Sequence, residues 1–366
     1  MPLDRAWART SSRGARLARA AAVGALLPLV ACGGQTAEPT VPVAFPSDAP
    51  LLTMTFVGDT AGHGIVTGEG DPDPFAGAGE LLPPSDLLVF NLEGVLAPPP
   101  HAPGTCVPIP GNHLLDAHPH LADFLLRAPF SVATLANNHA CDCGTAGLNA
   151  TLAALLSRGV LTAGAGPNVE EAGRPLRLRA NGIDVAILAY LEYPEPDLST
   201  VVAGPARTGV ASWEACDGAH TVAALAASGA YVITCFHLHT PRVEAEAAVE
   251  AALAAGADLV VAHGPHVPWG VLVQGSRIAL LSLGNFLFAP GIVQGDEARD
   301  VVTASVSLHA AATVVTLRAG RLDAGGLPVP APAADRRRIL ARVAFLSKGR
   351  TPVTVTEDAA YVVAAR

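Results

Sequence analysis

The sequence predicts a layered α/β fold, in which helices pack against β-sheets. Three observations lead to this prediction. Short apolar segments alternate along the chain with Ala-rich segments whose apolar residues recur every three or four positions, as in helices. Of the 366 residues, 50% are hydrophobic, which supplies enough apolar surface for a large core. Only 15% are charged, so the composition excludes a wholly disordered chain.

The predicted elements follow one another in a regular order. The strand candidates are short apolar segments at residues 52–57, 87–90, 131–135, 185–190, 231–236, 259–262 and 278–281. The helix candidates lie between several of these strands, at residues 118–128, 144–158, 219–227 and 243–255. Segments 62–84 and 97–111 are rich in Gly and Pro and are predicted to be loops. From residue 301 the pattern is typical of strands, and a break at 327–334 precedes a last helix near 335–346 and a last strand.

Residues 1–31 are predicted to be a targeting segment. Arginines up to position 19 precede an apolar run at 20–31, which is well short of the roughly 20 residues that span a bilayer. The run ends in LVACG, which resembles a bacterial lipobox in which Cys32 takes the lipid; the alternative is ordinary cleavage that leaves Cys32 free. Residues 32–50 have the composition of a flexible tether. We therefore expect an extracytoplasmic lipoprotein held at the membrane by its N-terminal lipid.

Net charge and cysteine content limit the classes of partner. The formal net charge of −9 argues against a nucleic-acid-binding protein, since such proteins normally carry a basic patch, so no nucleic acid is expected. An extracytoplasmic compartment permits disulfides, but the five cysteines beyond Cys32 cannot all pair within the chain. Their pairing stays open at this stage, and they are Cys106, Cys141, Cys143, Cys216 and Cys235.

Polar side chains of similar chemistry follow most of the predicted strands. Ligands of open α/β folds bind beyond the carboxyl ends of the strands, so these side chains are expected to meet. Each alone is typical of a turn or a helix cap, but together they offer carboxylate, amide and imidazole ligands that suit Mn²⁺, Zn²⁺ or Fe. A bridging carboxylate in such a set can hold two metal ions. The residues are Asp59, Asn91, Glu93, Asn137, Asn138, His139, His237, His263, His266 and Asn285.

Seven segments match a known family in order and spacing over roughly residues 52–290. They are FVGD (56–59), DLLVFNLEG (86–94), ANNHACDCGTAGL (136–148), GAG (164–166), ITCFH (233–237), AGADLVVAHGPHV (255–267) and LSLGNFLF (281–288). The sequence resembles the bacterial capsule-synthesis proteins of the CapA type, which serve poly-γ-glutamate synthesis and are related to calcineurin-like metallophosphoesterases. The resemblance implies an α-β-β-α sandwich with a β-rich C-terminal extension, comprising a domain at 51–326 and a helix and strand at 327–366 that pack on it.

The resemblance also implies roles for the strand-end residues. Two divalent metal ions would be held by Asp59, Glu93, Asn138, His237, His263 and His266, with Glu93 in place of the usual bridging Asp. The catalytic set would be His139 as general acid, supported by Asn137 and Asp142. Asn91 and Asn285 would orient the ligands through hydrogen bonds. Phosphoesterases usually have a histidine where this chain has Ala61, and His63 either replaces it or is a loop residue.

Three functions are compatible with these features. The first is a lipid-anchored, metal-binding protein of capsule synthesis that acts on a poly-γ-glutamate-like exopolymer, with capsule-assembly membrane proteins as candidate partners. The second is a dinuclear metal-dependent hydrolase of phosphoesters. The third is a non-catalytic surface lipoprotein that binds polymer. The motifs favour the first function and make a metal-dependent hydrolase the expected activity.

Overall fold

The computed structural model describes residues 45–97, 106, 113–192, 200–238, 243–292, 295–347 and 351–366. The predicted signal peptide, Cys32 and most of the predicted tether lie outside the described residues, as does most of the loop predicted at 97–111. In the part of the chain that is described, no helix is both long and apolar enough to cross a membrane.

Strands dominate the described chain. In chain order they are β1 (Leu52–Thr60), β2 (Leu87–Leu92), β3 (Val95–Leu96), β4 (Asp116–Ala117), β5 (Phe130–Thr134), β6 (Leu161–Ala163), β7 (Ala165–Gly166), β8 (Leu176–Ala180), β9 (Ile183–Glu192), β10 (Gly209–Val210), β11 (Tyr231–Leu238), β12 (Leu259–His263), β13 (Val271–Gln274), β14 (Arg277–Leu280), β15 (Asn285–Leu287), β16 (Asp300–Leu308), β17 (Ala312–Leu322), β18 (Pro328–Pro330), β19 (Thr354–Val355) and β20 (Ala360–Ala365). The helices are α1 (Leu121–Leu125), α2 (Gly144–Ser157), α3 (Val169–Ala172), α4 (Gly218–Ala227), α5 (Val243–Ala255) and α6 (Ala333–Leu346), with 3₁₀ turns at Gly79–Leu81 and Asp296–Arg299.

A ten-stranded mixed sheet forms the larger of two main sheets. Its order is β19-β20-β17-β16-β1-β2-β5-β6, with β15 paired to β1 and β18 paired to β17. Strands β1, β2, β5 and β6 run parallel to one another, whereas β16, β17 and β20 continue the sheet with antiparallel pairing. The carboxyl ends of four parallel strands therefore lie along one edge of this sheet.

The second main sheet has six strands in the order β13-β14-β12-β11-β9-β8. Its four central strands, β14, β12, β11 and β9, are parallel, and β13 and β8 pair antiparallel at the two borders. Parallel strands need crossover connections, and helices α4 and α5 supply them between β9, β11 and β12. This sheet therefore also presents several carboxyl ends at one edge.

Side chains point alternately to opposite sides along each strand, so each sheet has two apolar faces. Phe56 of β1 and Ile187 of β9 belong to one buried cluster that draws on both sheets. Their neighbours Val57 and Leu188 point the other way, into clusters that include residues of α1 for the larger sheet and of α4 and α5 for the smaller. The predicted mixed α/β class is confirmed, with a large mixed sheet and helices against it.

The predicted strands agree closely with the structure, and one predicted helix is wrong in extent. Each of the seven strand candidates coincides with an observed strand to within a few residues. The helix predicted at 118–128 is reduced to Leu121–Leu125. Pro129 disfavours helical backbone at Ala128, and the Ser131 hydroxyl oxygen instead accepts hydrogen bonds from the backbone N–H groups of Arg127 and Ala128 at 3.0 and 3.1 Å. The chain therefore turns into β5 early.

The β-rich segment after residue 300 is part of the larger sheet and not an addition to it. Strand β16 pairs antiparallel with β1 from Leu52 opposite Leu308 to Phe56 opposite Ala304. Strand β17 pairs with β16, and β20 pairs with β17. The alternating apolar pattern of β16 buries one side of the strand in the core shared by both sheets, which explains why the segment joins the sheet. The β-rich C-terminal segment that was expected is therefore observed as strands of the larger sheet.

Candidate metal centre

Two carboxylates lie together at the carboxyl edge of the larger sheet. Asp59 is near the end of β1, and Glu93 follows β2 directly. The two strands are parallel, with Asp59 opposite Asn91, so both carboxylates reach the same edge. Asp59 is 0% exposed and Glu93 is 1% exposed. Two buried acidic groups this close need a cation or further donors, because isolated buried charges are costly.

Imidazoles from the smaller sheet face these carboxylates. His237 of β11 and His263 of β12 are opposite one another in the parallel pair and are both buried. Asp59, Glu93 and His237 each place one ligand-type atom within 4.8 Å of the others. Nδ1 of His263 lies 3.6 Å from Oδ1 of Asp59, which is too long for a hydrogen bond. The strand-end residues of the two sheets therefore form one cluster.

Gly264 allows the chain that follows β12 to pass close to the end of β11 within the smaller sheet. Its backbone has φ +103°, and a Cβ placed there would lie 2.0 Å from the carbonyl oxygen of Leu238. Its N–H group donates to Oδ2 of Asp59 at 3.2 Å. Any larger residue at this position would displace β12 from β11 and remove a donor from Asp59. No role was predicted for Gly264, because a backbone donor has no signature in residue type.

His266 lies between the two carboxylates in a left-handed backbone conformation with φ +59°. Its Nδ1 is 3.3 Å from Oδ2 of Asp59, and its Nε2 is 3.7 Å from Oε1 of Glu93. Nδ1 also lies 2.9 Å from Oδ1 of Asn285, whose own Nδ2 donates to the carbonyl of Ala298 at 2.9 Å. Because that amide nitrogen is engaged, Asn285 presents its oxygen to the imidazole and fixes the ring orientation.

Asn91 joins the two sides of the cluster. Its Nδ2 donates to Oδ1 of Asp59 at 2.7 Å and lies 3.1 Å from Nδ1 of His237. The second nitrogen of His237, Nε2, lies 3.9 Å from Oε1 of Glu93. Asn91 is itself buried, so these contacts are shielded from water. This location is the one expected of a residue that orients ligands, and that role stays a prediction.

His139 and Asp142 form a buried pair beside Glu93. Nδ1 of His139 lies 2.8 Å from Oδ2 of Asp142, which also accepts the N–H of Leu115 at 2.9 Å. Since the carboxylate is an acceptor, Nδ1 carries the proton and Nε2 faces Oε1 of Glu93 at 3.9 Å. Asp142 therefore fixes the tautomer and the orientation of the His139 ring.

Both polar atoms of the Asn137 side-chain amide form hydrogen bonds with backbone groups near this pair. Its Nδ2 donates to the carbonyl of Leu92 at 2.8 Å, and its Oδ1 accepts the N–H of His139 at 3.1 Å. It thereby connects the segment before Glu93 to the turn that carries His139. Asn138, the next residue, is also buried, and its role as a metal ligand stays a prediction.

Several buried ligand-type atoms of the cluster have no hydrogen-bond partner within the described residues. A buried polar group without a partner costs roughly 1–3 kcal/mol, so a group of them in one place requires an explanation. Carboxylate oxygen, amide oxygen and imidazole nitrogen are the donors that divalent transition metals take, and the residues present fit such an ion. The atoms are Oε1 and Oε2 of Glu93, Oδ1 of Asn138, and Nδ1 and Nε2 of His263.

The pKa shifts show that the charges of Asp59, Glu93 and His266 depend on one another. Burial raises the pKa of Glu93 to about 7; the nearby charge of His266 opposes this shift, and that of Asp59 adds to it. Burial acts to raise the pKa of Asp59 too, but hydrogen bonding and charge from His266 hold it well below its usual range. Burial acts to lower the pKa of His266, yet Glu93 and Asp59 raise it to about 9. The cluster therefore favours a positive charge beside its carboxylates.

The two other central histidines are kept neutral by their surroundings. Burial lowers the pKa of His237 to about 3, despite the opposing charge of Asp59. Burial also lowers the pKa of His263, again against Asp59. A neutral imidazole has a free lone pair, which is the form that binds a metal ion.

His63 pairs with an acidic residue other than Asp59 and Glu93. Its Nδ1 lies 2.5 Å from Oδ1 of Asp116, the first residue of β4. His63 lies in a turn after β1, and its role as a substitute metal ligand stays a prediction. Asp116 carried no sequence signal, because it follows a Pro-rich loop and begins a strand of two residues.

A disulfide adjoins the His139–Asp142 pair. Cys106 is bonded to Cys143, which directly follows Asp142 and precedes α2. Among the described residues, Cys141, Cys216 and Cys235 are free. The pairing that the sequence left open is thus known for one bond, which joins Cys106 to the turn that carries His139.

Comparison with known proteins identifies the family. The model of the bacterial capsule synthesis protein family PGA_cap matches residues 53–290, which is well over half of the chain. The chain belongs to the PGA_cap family. The strand-end residues of this PGA_cap protein, from Asp59 to Asn285, all lie within the matched segment.

Two curated CapA proteins are distant relatives of this PGA_cap chain. The capsule biosynthesis protein CapA of Bacillus anthracis is 28% identical over 189 residues, covering 49% of this chain and 45% of that protein. The PGA biosynthesis protein CapA of Bacillus subtilis (strain 168) is 26% identical over 168 residues, covering 44% and 43%. The match thus spans less than half the length of each relative. A hypothetical protein from Thermus thermophilus has a solved structure with a TM-score of 0.41 and 17% identity, covering 76% of this chain and 96% of that one.

Proposed function

We propose that this PGA_cap protein is a lipid-anchored, extracytoplasmic metal-dependent hydrolase that processes a poly-γ-glutamate-like polymer during capsule synthesis. The observation that carries the proposal is the buried cluster of Asp59, Glu93 and His237, with both carboxylate oxygens of Glu93 lacking hydrogen-bond partners among the described residues. The family and the printed names of the two CapA relatives supply the capsule and polymer context.

Asp59, Glu93 and His237 would hold a divalent ion, and Asn138, His263 and His266 would complete the ligands for a second. Their mixed oxygen and nitrogen chemistry suits Mn²⁺, Zn²⁺ or Fe. When bound, such ions polarise a carbonyl or phosphoryl oxygen and stabilise the charge that develops on it. Asn91 and Asn285 orient Asp59 and His266 through the hydrogen bonds described above.

His139 is the proposed general acid. Burial acts to lower its pKa, but the hydrogen bond that it donates to Asp142 and the charge of Glu93 outweigh burial and raise it. Asp142 holds Nδ1, so a proton on Nε2 points toward Glu93 and the substrate side of the cluster. A raised pKa favours the protonated imidazole, which is the form that can deliver a proton to a leaving group.

The proposal also includes the order of layers, the extent of the domain and the membrane anchor. The cluster shared by the two sheets and the separate clusters against α1 and against α4 and α5 support an α-β-β-α order of layers. The domain would extend over 51–326, with 327–366 packed on it and a lipid on Cys32 holding the chain at the membrane. A Cys32→Ser variant should move the protein from the membrane fraction to the soluble fraction, and unchanged fractionation would exclude the anchor.

The activity is tested by offering two substrates to the purified, metal-supplemented protein. We expect shortening of poly-γ-glutamate, measured by chain length, and loss of that activity in His139→Gln with metal content retained. Cleavage of bis(4-nitrophenyl) phosphate alone would replace this proposal with a phosphoester hydrolase. Bound metal and bound polymer without turnover of either substrate would indicate a non-catalytic polymer-binding lipoprotein. Deletion of the gene should abolish surface polymer, and unchanged polymer would contradict the capsule role.

A further inference from the structure

We propose that a cavity at the amino edge of the two main sheets is a second binding site, in which Arg277 and Arg366 hold a carboxylate of a γ-linked glutamate chain. The preference for a carboxylate follows from the side chains that line the cavity. The choice of that polymer rests on the proposed function and deepens it, because the site is separate from the metal centre.

The cavity lies at the opposite end of the strands from the metal centre. Its lining includes the first residues of three parallel strands, Ile183 of β9, Tyr231 of β11 and Arg277 of β14. His237 of the metal centre is at the other end of β11 from Tyr231, and at ~3.3 Å per residue the two are about 20 Å apart. The cavity volume is about 440 Å³. Small-molecule sites occupy roughly 300–1,000 Å³, so the cavity is large enough for a ligand.

Two guanidinium groups line this cavity, and the backbone holds each of them in place. Nη1 of Arg277 donates to the carbonyl oxygen of Leu253 at 2.7 Å, and Nη1 of Arg366 donates to that of His309 at 3.3 Å. Within the described residues, neither guanidinium forms an ion pair. A guanidinium stays charged and has five N–H donors, so each of the two retains donors for an anion.

Asp258 lines the same cavity but does not cancel both positive charges. Its Oδ2 accepts the N–H of Val232 at 2.8 Å, which fixes the carboxylate beside the start of β11. Burial raises the pKa of Asp258, while the hydrogen bond from Val232 and the charges of Arg366 and Arg277 oppose that shift. Two guanidinium side chains and one carboxylate side chain leave one net positive charge, in a chain whose net charge is −9. The cavity therefore attracts an anion locally.

Apolar side chains on the cavity wall define the ligand further. They include Leu51, which directly precedes β1, Ile183, and Leu308, the last residue of β16. A carboxylate on a methylene stem has a single negative charge, and its methylene groups can contact this wall. A phosphate monoester carries about −1.5 to −2 charges at neutral pH and matches the lining less well. Each repeat of a γ-linked glutamate chain has an α-carboxylate beside two methylene groups, so this polymer has the required chemistry.

Neutral variants of the two arginines test the site. Binding of a γ-linked glutamate pentamer would be measured by calorimetry in the His139→Gln background, so that the ligand is not cleaved. We expect Arg277→Gln and Arg366→Gln each to weaken binding about 10-fold or more, which is the effect of losing one hydrogen bond to a charged group. Arg337→Gln removes the same charge from an exposed position of α6 and should leave the affinity unchanged. Metal content, and any binding at the metal centre, should be the same in all of these variants.

Matched ligands separate a carboxylate from other chemistry. A pentamer whose α-carboxylates are converted to carboxamides keeps its length and its methylene groups, but it should lose the binding that depends on the arginines. Inorganic phosphate and glutarate should compete with the pentamer only weakly. Competition by phosphate at the same concentration as the pentamer would assign the cavity to phosphate, and equal competition by glutarate would assign it to a small free carboxylate. Either result would overturn the proposal.

The failure of this inference is distinguishable from the failure of the proposed function. Equal affinity for the pentamer in the background protein, Arg277→Gln and Arg366→Gln would exclude the second site and leave the proposed hydrolase intact. Binding that depends on the two arginines, in a protein that cleaves no polymer, would exclude the hydrolase and support the second site.

Discussion

His139 and Asp142 are joined by a hydrogen bond of 2.8 Å between Nδ1 and Oδ2, and both side chains are buried. The same carboxylate oxygen accepts the N–H of Leu115, so Asp142 cannot rotate without losing a second bond. This pair leaves Nε2 as the only ring nitrogen of His139 that can exchange a proton with a substrate. The two residues therefore act as a unit in the proposed chemistry.

Replacing Asp142 with Asn should reduce hydrolysis without affecting metal binding. The amide cannot stabilise a protonated imidazole as the carboxylate does, so we expect turnover to fall roughly 10- to 100-fold. Metal content should not change, since Asp142 is outside the group of Asp59, Glu93 and His237. Asp123→Asn is the matched control, because Asp123 also contacts a histidine three residues away, His120, but on the surface. Equal turnover in the two variants would refute the role of the buried pair.

Asn91 should control metal affinity although it is not assigned as a ligand. It contacts both Asp59 and His237, so Asn91→Ala would leave the two side chains free to adopt other orientations. Loss of such an orienting residue typically lowers metal affinity about 10- to 100-fold. Competitive titration with a fluorescent chelator would measure it. Asn149→Ala, on the exposed side of α2, should retain the affinity of the unaltered protein, and a similar value for Asn91→Ala would contradict this account.

The Cys106–Cys143 disulfide should contribute substantially to stability. It closes a loop with a sequence separation of 37, and removing such a bond costs about 2–4 kcal/mol. We expect Cys106→Ser and Cys143→Ser to lower the free energy of unfolding in urea by similar amounts, and the double variant to lose no more than either. Cys216→Ser removes a free thiol and serves as the control. Additive losses in the double variant would show that the two cysteines act separately.

Helix α6 is anchored to the larger sheet by an ion pair with a buried acid. Asp300 is 1% exposed, and its two oxygens lie 2.6 and 2.7 Å from Nη1 and Nη2 of Arg338. Breaking a buried pair costs about 3–5 kcal/mol, and we expect about 2–3 for Arg338→Ala because Arg321 remains nearby. Arg337→Ala, which alters an exposed neighbour, should change the free energy of unfolding by less than about 0.5 kcal/mol. Equal effects would mean that the pair contributes little.

The strands and the strand-end residues could be predicted from sequence because they depend on local patterns. Apolar runs such as 231–236 become buried parallel strands, and the polar residue that follows, His237, must then lie at the carboxyl edge. The extent of α1 could not be predicted, because the Ser131 hydroxyl that ends it acts through a side-chain contact.

The contacts that complete the site also escaped prediction. The N–H of Gly264 reaches Asp59 across 205 positions of sequence, and a backbone donor has no signature in residue type. Asp116 meets His63 only because β4 pairs with β3, and strands of two residues leave no periodic pattern. Long-range contacts of this kind depend on the assembled fold.

The central claim is that the cluster binds divalent metal, and metal content per chain tests it most directly. After exposure to Mn²⁺, Zn²⁺ or Fe²⁺ and removal of excess ion, we predict close to two ions per chain by elemental analysis. Asp59→Asn and His237→Ala should each lose metal, whereas the exposed variants Asp184→Asn and His220→Ala should retain it. No bound metal in the unaltered protein, or the same content in all four variants, would contradict the account.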